Sequence, residues 1–240
     1  MQIPVKKASL KAWMFIHWMN IHRIFIHRIF IHALNIGLII IFISCAATPD
    51  IVEVRPPETG LAEWPIPSIP EYIMGEGLIE PEYLVYFLLN YNPELEMEFV
   101  ENLSSIYFEE AVIEGVNHDV AFAQMCLETG FLRFGGLVTP DMNNFCGLGA
   151  IGPSQRGEIF PDVRTGVRAH IQHLKAYAST APLEMDLVDP RYLWVRFGSS
   201  PRIQGLAGTW ATDREYANKI NSILERLYYF SFRGPIARGL

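Results

Sequence analysis

The segment "GFLRFGGLVTPDMNNFCGLGAIGPSQRG", from Gly130 to Gly157, holds seven glycines and two prolines and lies between stretches of helical periodicity. Glycine lacks the Cβ that confines other residues and proline lacks a backbone donor, so a segment rich in both is expected to be irregular or short-stranded. A chain that interrupts its helices in this way is expected to be mainly α (α+β), with a helical domain enclosing a small loop or β lobe.

The flanks supply the helices. "EFVENLSSIYFEEAVIEGV", Glu98 to Val116, repeats Phe99, Leu103, Ile106, Tyr107, Ala111 and Val112 at helical spacing. Asn117 suits an N-cap and Asp119 suits the positive end of a helix dipole, which predicts a second helix over about His118 to Thr129. Gly130 can close that helix in a left-handed conformation. Beyond the lobe, "TGVRAHIQHLKAYAS" puts Val167, Ile171, Leu174 and Ala178 on one face. "TDREYANKINSILERL" announces a last helix, with Thr212 and Glu215 in capping-box spacing ahead of Ile220, Leu224 and Leu227.

The 240 residues, half of them hydrophobic, suffice for one ordinary domain and some sequence outside it. Residues 1–45 read as a signal peptide of lipoprotein type. Their basic front, with Lys6, Lys7, Lys11, Arg23 and Arg28, precedes the apolar run Ala33 to Ser44 and then Cys45 as the lipidated residue. That run is too short for the roughly 20 residues of a spanning helix, although an uncleaved signal anchor is the alternative. Repeated "IHRIF" units from Ile21 to Phe30 lengthen the front, so that Met14 and Met19 are candidate starts. Residues 46–70 form a proline-rich tether, 71–230 the domain proper, and 231–240 a tail. After the first 45 residues, 14 of the 19 basic side chains face all 26 acidic ones, a formal charge of −12. Such a body repels phosphate backbones, which excludes nucleic acid as a partner.

One carboxylate stands out. Glu128 follows the apolar run "AFAQMCL" and precedes glycines and aromatics. At a helix C-terminus, among Leu127, Phe131 and Phe122, both the dipole and desolvation disfavour its charge and should raise its pKa, as a general acid near neutral pH requires. A glutamate pointing into water is the bland alternative.

The segments "EEAVIEGVNHDVAFAQMCLETGFLRFGG", "NNFCGLGAIG", "FPDVRTGVRAHIQHLKAYA" and "TWATDREYANKI" occur in an order that resembles the bacterial glucosaminidase family, glycoside hydrolase family 73. The likeness runs from about Tyr72 to Tyr229. It implies a lysozyme-like fold, an active-site groove, and cleavage of peptidoglycan glycan strands after N-acetylglucosamine. It also implies that Glu128 stands at the catalytic acid position, that Asn143 to Ala150 line the groove, and that Tyr216 is the tyrosine near the active site. Trp210 stands where the family often has a tyrosine before the Ala-Thr-Asp triplet.

Glycan cleavage usually takes a second carboxyl group, for which Asp141, Glu158 and Asp162 are the candidates. The substrate's acetamido group could replace it. Phe131, Phe134, Phe145 and Trp210 could stack on sugar faces, with Asn143 and Asn144 bonding hydroxyl or acetamido groups; core packing and turn chemistry are the alternatives. His170 and His173 lie three apart on one helix, but two ligands do not make a zinc site, so no metal or other cofactor is expected. Cys126 and Cys146 are expected as buried free thiols. The leading expectation is an exported, membrane-anchored endo-β-N-acetylglucosaminidase. A lytic transglycosylase and a non-catalytic wall-binding lipoprotein are the alternatives.

Overall fold

Asn117 starts the helix around which the others are arranged. Its side-chain oxygen accepts from the backbone N–H groups of Asp119 and Val120, satisfying two donors that a helix start leaves unpaired. The computed structural model describes residues 65–150, 152 and 155–233. Among the described residues there are five α-helices: α1 Pro81–Tyr91, α2 Met97–Glu114, α3 His118–Thr129, α4 Val163–Ala178 and α5 Tyr216–Arg233. Helix α3 packs on α2, α4 and α5. Ten of its twelve residues are buried, so it is wrapped on all sides rather than amphipathic.

The helices packed on it present single faces. Val167, Ile171, Leu174 and Ala178 of α4 are buried as their spacing predicts, as are Ile220, Leu224 and Leu227 of α5. In α2 the buried stripe runs through Val100, Leu103, Ile106, Tyr107 and Ala111, whereas Phe99 and Val112 face solvent. Burying Glu110 and Glu114 rotates that face away from Phe99 and Val112. Glu110 accepts from Arg164 Nη1 at 2.8 Å and from Arg168 Nε at 2.7 Å, while Lys175 Nζ donates to Glu114 at 2.7 Å, so the seam between α2 and α4 is charged.

Helix α1, which periodicity did not single out, has Pro81 in its first turn and buries Leu84, Val85, Phe87 and Leu88. Ile66 and Ile69, at the end of the stretch read as tether, already pack on the core. Helix α5 begins later than its capping-box spacing suggests. Asp213 Oδ1 takes the Glu215 N–H, and the first helical residue is Tyr216. It also continues to Arg233, into the stretch read as tail.

Among the described residues there is no strand ladder; the β contacts are isolated bridges such as Tyr72 with Arg202 and Met74 with Val116. The domain is mainly helical, and the lobe after Gly130 takes the irregular form, with one 3-10 turn at Pro140–Met142. The stretch read as a signal peptide, with Cys45, the part of the stretch read as tether up to residue 64, and residues 234–240 lie outside the described residues. No helix among those described is long and apolar enough to cross a membrane.

Candidate active site

Helix α3 ends where Gly130 takes φ 58° and ψ 47°. The Phe131 N–H reaches back to the Cys126 carbonyl at 2.8 Å, which closes the last turn in a Schellman geometry. Phe131 and Leu132 continue in left-handed backbone, at φ 58° and 61°. Such conformations are uncommon and costly for residues with a Cβ. Thr129 supports them: its hydroxyl accepts from Leu132 N–H at 2.9 Å and its carbonyl from Phe134 N–H at 2.7 Å. The chain is thereby turned off the helix axis directly after Glu128, leaving that side chain at the mouth of a cleft.

The cleft, about 270 Å³, is lined by Glu128, Phe134, Val138, Asn144, Gly147 and Ala150 among others. Glu128 is the carboxylate among the described residues that line it. A Cβ on Gly147 would sit 3.7 Å from Glu128 Oε2, so the lobe faces that oxygen with a residue that has no side chain. The lobe itself seats on α4 at Gly166, where a Cβ would overlap the Asn143 carbonyl.

The other oxygen, Oε1, faces inward. It accepts from the Trp210 indole N–H at 3.0 Å and from the Tyr216 hydroxyl. Burial pushes the Glu128 carboxyl above its ordinary range, and these two hydrogen bonds offset part of the rise. Both donors are neutral: burial, then the charge of Glu128, holds Tyr216 well above an ordinary tyrosine. The site therefore orients a carboxylic acid without supplying a positive charge that would strip its proton.

Trp210 reaches Glu128 from a tight loop in which its own N–H bonds the Leu206 carbonyl at 3.0 Å. Its ring packs against His170, His173 and Tyr177, with centroids 5.8, 5.1 and 5.6 Å away. His173 is itself held by Asp189 Oδ2 at 2.7 Å. The two α4 histidines thus serve as packing and hydrogen-bonding groups.

The structure redistributes the residues expected to bind substrate. Phe134 and Asn144 line the cleft. Asn144, however, uses its full hydrogen-bonding capacity within the lobe: Oδ1 accepts from Cys146 and Leu148 N–H, and Nδ2 donates to the Leu148 and Glu158 carbonyls. It builds the turn rather than reaching for a sugar. Asn143, at φ 49°, bonds the Phe160 carbonyl through its amide, the left-handed turn role its residue type permits. Phe145 is 2% exposed and packs edge-on against Tyr107, so it has no free face for a sugar. Phe131 stacks on Tyr91 with centroids 4.4 Å apart and borders a separate groove with Arg226. Trp210 contributes its N–H to Glu128 instead of an open ring face.

The candidate second carboxylates are also engaged elsewhere. Asp162 caps α4, accepting from Thr165 N–H at 2.8 Å, which lowers its pKa. Glu158 pairs with Arg191 Nε at 3.0 Å. Asp141 lies exposed in the 3-10 turn. Cys126 and Cys146 are buried free thiols.

Two buried side chains near Glu128 were not singled out as site residues. Gln124, one helical turn before Glu128, donates from Nε2 to the Tyr216 oxygen at 2.9 Å. His170 Nε2 meets Gln124 Oε1 at 3.0 Å. The available signal was a glutamine four residues before the glutamate in an otherwise apolar run.

Residues 104–229 match the glucosaminidase family model, described as mannosyl-glycoprotein endo-beta-N-acetylglucosaminidase. An uncharacterized protein of Borreliella burgdorferi is 42% identical over 160 residues, covering 67% of this chain and 78% of that one.

Proposed function

From the premise that the chain belongs to the glucosaminidase family, we propose that it is an exported endo-β-N-acetylglucosaminidase cleaving peptidoglycan glycan strands, with Glu128 as general acid. The observation that carries this reading is the asymmetry of the Glu128 carboxyl: neutral donors occupy Oε1, while Oε2 lies toward Gly147 in the cleft lining. A proton on Oε2 is available to the glycosidic oxygen of a strand lying in the cleft. As the bond breaks and Glu128 becomes charged, the Tyr216 and Trp210 hydrogen bonds strengthen, which lowers the barrier.

The departing sugar leaves an oxocarbenium-like centre that needs a nucleophile. With Glu128 as the carboxylate among the described cleft residues, the substrate's 2-acetamido group is the partner that fits, followed by water. The same single acid supports a second reading, a lytic transglycosylase, in which an internal sugar hydroxyl replaces water. Export and membrane attachment through a lipidated Cys45 complete the proposal, resting on the basic front and short apolar run of residues 1–45.

The test is digestion of purified peptidoglycan by wild type and Glu128→Gln, with new ends identified by mass spectrometry after borohydride reduction. Reduced N-acetylglucosamine ends from wild type alone are expected. Anhydro ends would transfer the protein to the transglycosylases, and wall binding without any new ends would leave a binding role. Mass spectrometry of the mature N-terminus tests the anchor, which requires a diacylglycerol on Cys45.

A further inference from the structure

Behind the cleft, four hydrogen bonds run in series: Tyr107 hydroxyl to His170 Nδ1 at 2.9 Å, His170 Nε2 to Gln124 Oε1 at 3.0 Å, Gln124 Nε2 to the Tyr216 oxygen at 2.9 Å, and the Tyr216 hydroxyl to Glu128 Oε1. Tyr107, Gln124 and His170 are fully buried, and neither Gln124 nor His170 lines the cleft. We propose that Gln124 and His170 are positioning residues that determine which oxygen of Glu128 carries the transferable proton. The role rests on Glu128 acting as the acid.

A carbonyl oxygen only accepts, so Gln124 Oε1 requires the hydrogen on His170 Nε2. Burial, with His173 nearby, depresses His170 to about 3, so the ring is neutral at working pH and its Nδ1 is a bare lone pair. The Tyr107 hydroxyl must then donate to Nδ1. At the other end, Gln124 Nε2–H occupies a lone pair of the Tyr216 oxygen, which leaves the Tyr216 hydrogen for Glu128. Every donor in the series therefore points toward Oε1.

The series could in principle run backwards. If the Gln124 amide turned over and the His170 tautomer switched, Tyr216 would donate to Gln124 and accept a proton from Glu128 Oε1. That would hold the acid's proton on its buried side. Trp210 discriminates between the two directions, because an indole N–H can only donate and lies 3.0 Å from Oε1. A proton on Oε1 would point to Tyr216 and leave that oxygen a hydroxyl, a poorer acceptor for the indole than the carbonyl oxygen it is when the proton sits on Oε2. The forward direction leaves Oε2, beside Gly147, as the oxygen that holds the proton.

The titratable groups bearing on Glu128 are Tyr216 on α5 and Cys146 in the lobe, both raised by burial and then by the Glu128 charge. Those around His170 are Tyr107 on α2 and His173 on its own helix.

A double-mutant cycle tests the role. Gln124→Met keeps side-chain length and removes both hydrogen bonds. It is expected to lower kcat about tenfold with KM unchanged, the scale of groups that orient a functional residue from behind. In a Tyr216→Phe background the same change is expected to cost less than about twofold, because its route to Glu128 is already cut. An equal factor in both backgrounds would mean a general packing role and would overturn the proposal. So would an unchanged kcat in Gln124→Met.

Tyr107→Phe keeps the ring against Phe122 and Phe145 and supplies a second cycle of smaller amplitude should Gln124→Met fail to fold. A readout independent of turnover is the titration of carbon-13-labelled glutamate carboxyls, with Glu128 assigned by its loss in Glu128→Gln. Its midpoint is expected to rise in Gln124→Met, because the Tyr216 donor is no longer held on Oε1. An unmoved midpoint removes the positioning role. A moved midpoint in a protein that releases no N-acetylglucosamine ends keeps the role and removes the proposed activity.

Discussion

Glu110 and Glu128 are glutamates that the fold takes largely out of water, and they are handled in opposite ways. At the seam between α2 and α4, burial would raise Glu110, but the hydrogen bonds and charges of Arg168 and Arg164 more than offset it and hold the carboxyl below its ordinary range. At the end of α3, Glu128 receives only the neutral donors Trp210 and Tyr216, and burial prevails. Charged partners lock a carboxylate in its ionised form, while neutral partners aim it and leave its proton in place. The first arrangement serves cohesion; the second keeps an acid usable.

The largest expected effect comes from removing the usable proton. Glu128→Gln retains an oxygen to accept from Trp210 and Tyr216, so the protein should fold, while kcat falls about a thousandfold, within the range for general acids. Circular dichroism alongside digestion kinetics checks both halves.

Tyr216→Phe comes next, with a loss of about 10- to 100-fold in kcat and a displaced pH profile. In the proposed mechanism activity requires protonated Glu128 and so should decline as pH rises through its raised pKa. Because the Tyr216 hydrogen bond lowers that pKa, the alkaline limb should move up in the variant. A limb that stays in place would separate Tyr216 from the acid.

Stability should distinguish the two glutamates by sign. Glu110 is lowered in the folded state, so its contribution is present above the unfolded pKa and fades as pH falls through the folded one. Glu110→Gln should cost about 2 kcal/mol near neutrality, less than a fully buried pair because Arg164 reaches water, and should flatten the acid-side loss. Glu128 is raised, so its contribution is present below the unfolded pKa and disappears as pH rises through the folded one. Glu128→Gln should therefore be at least as stable as wild type on the alkaline side. Urea unfolding at several pH values measures both.

The smallest effect belongs to Asp162. As the α4 cap, its replacement by alanine should cost about 1 kcal/mol with kcat unchanged. A large fall in kcat would return it to the candidates for second carboxylate.

What could be read before folding was mostly what neighbours in the chain decide. The limits of α3 follow from Asn117 and Gly130, whose chemistry acts within a few residues, and they match the structure. The proposed cap at Thr212 and Glu215 was likewise a local inference, but Asp213 competed successfully for the Glu215 N–H. Helix α1 carries no clear periodic signature because apolar residues crowd its short span, and tertiary packing selects the buried face.

At the site, Glu128 stands out by its place at an apolar helix end and Tyr216 by motif order, and the structure brings their side chains into contact. For Phe145 and Asn144 the sequence leaves sugar contact and core or turn roles open, because aromatic and amide groups beside a cleft have the same letters whether they face a ligand or the core. The series from Tyr107 through His170 and Gln124 joins three helices, and no local spacing encodes which partner each polar group will find.

The two buried thiols offer a view of motion. Cys126 lies on α3 two residues before Glu128, and Cys146 lies in the lobe; burial pushes both thiols up and keeps them from ionising. An alkylating reagent can therefore reach either one only when its surroundings open. Mapping the modified peptides against time would clock the lobe and the helix separately, and ligand that fills the cleft should slow the Cys146 clock first.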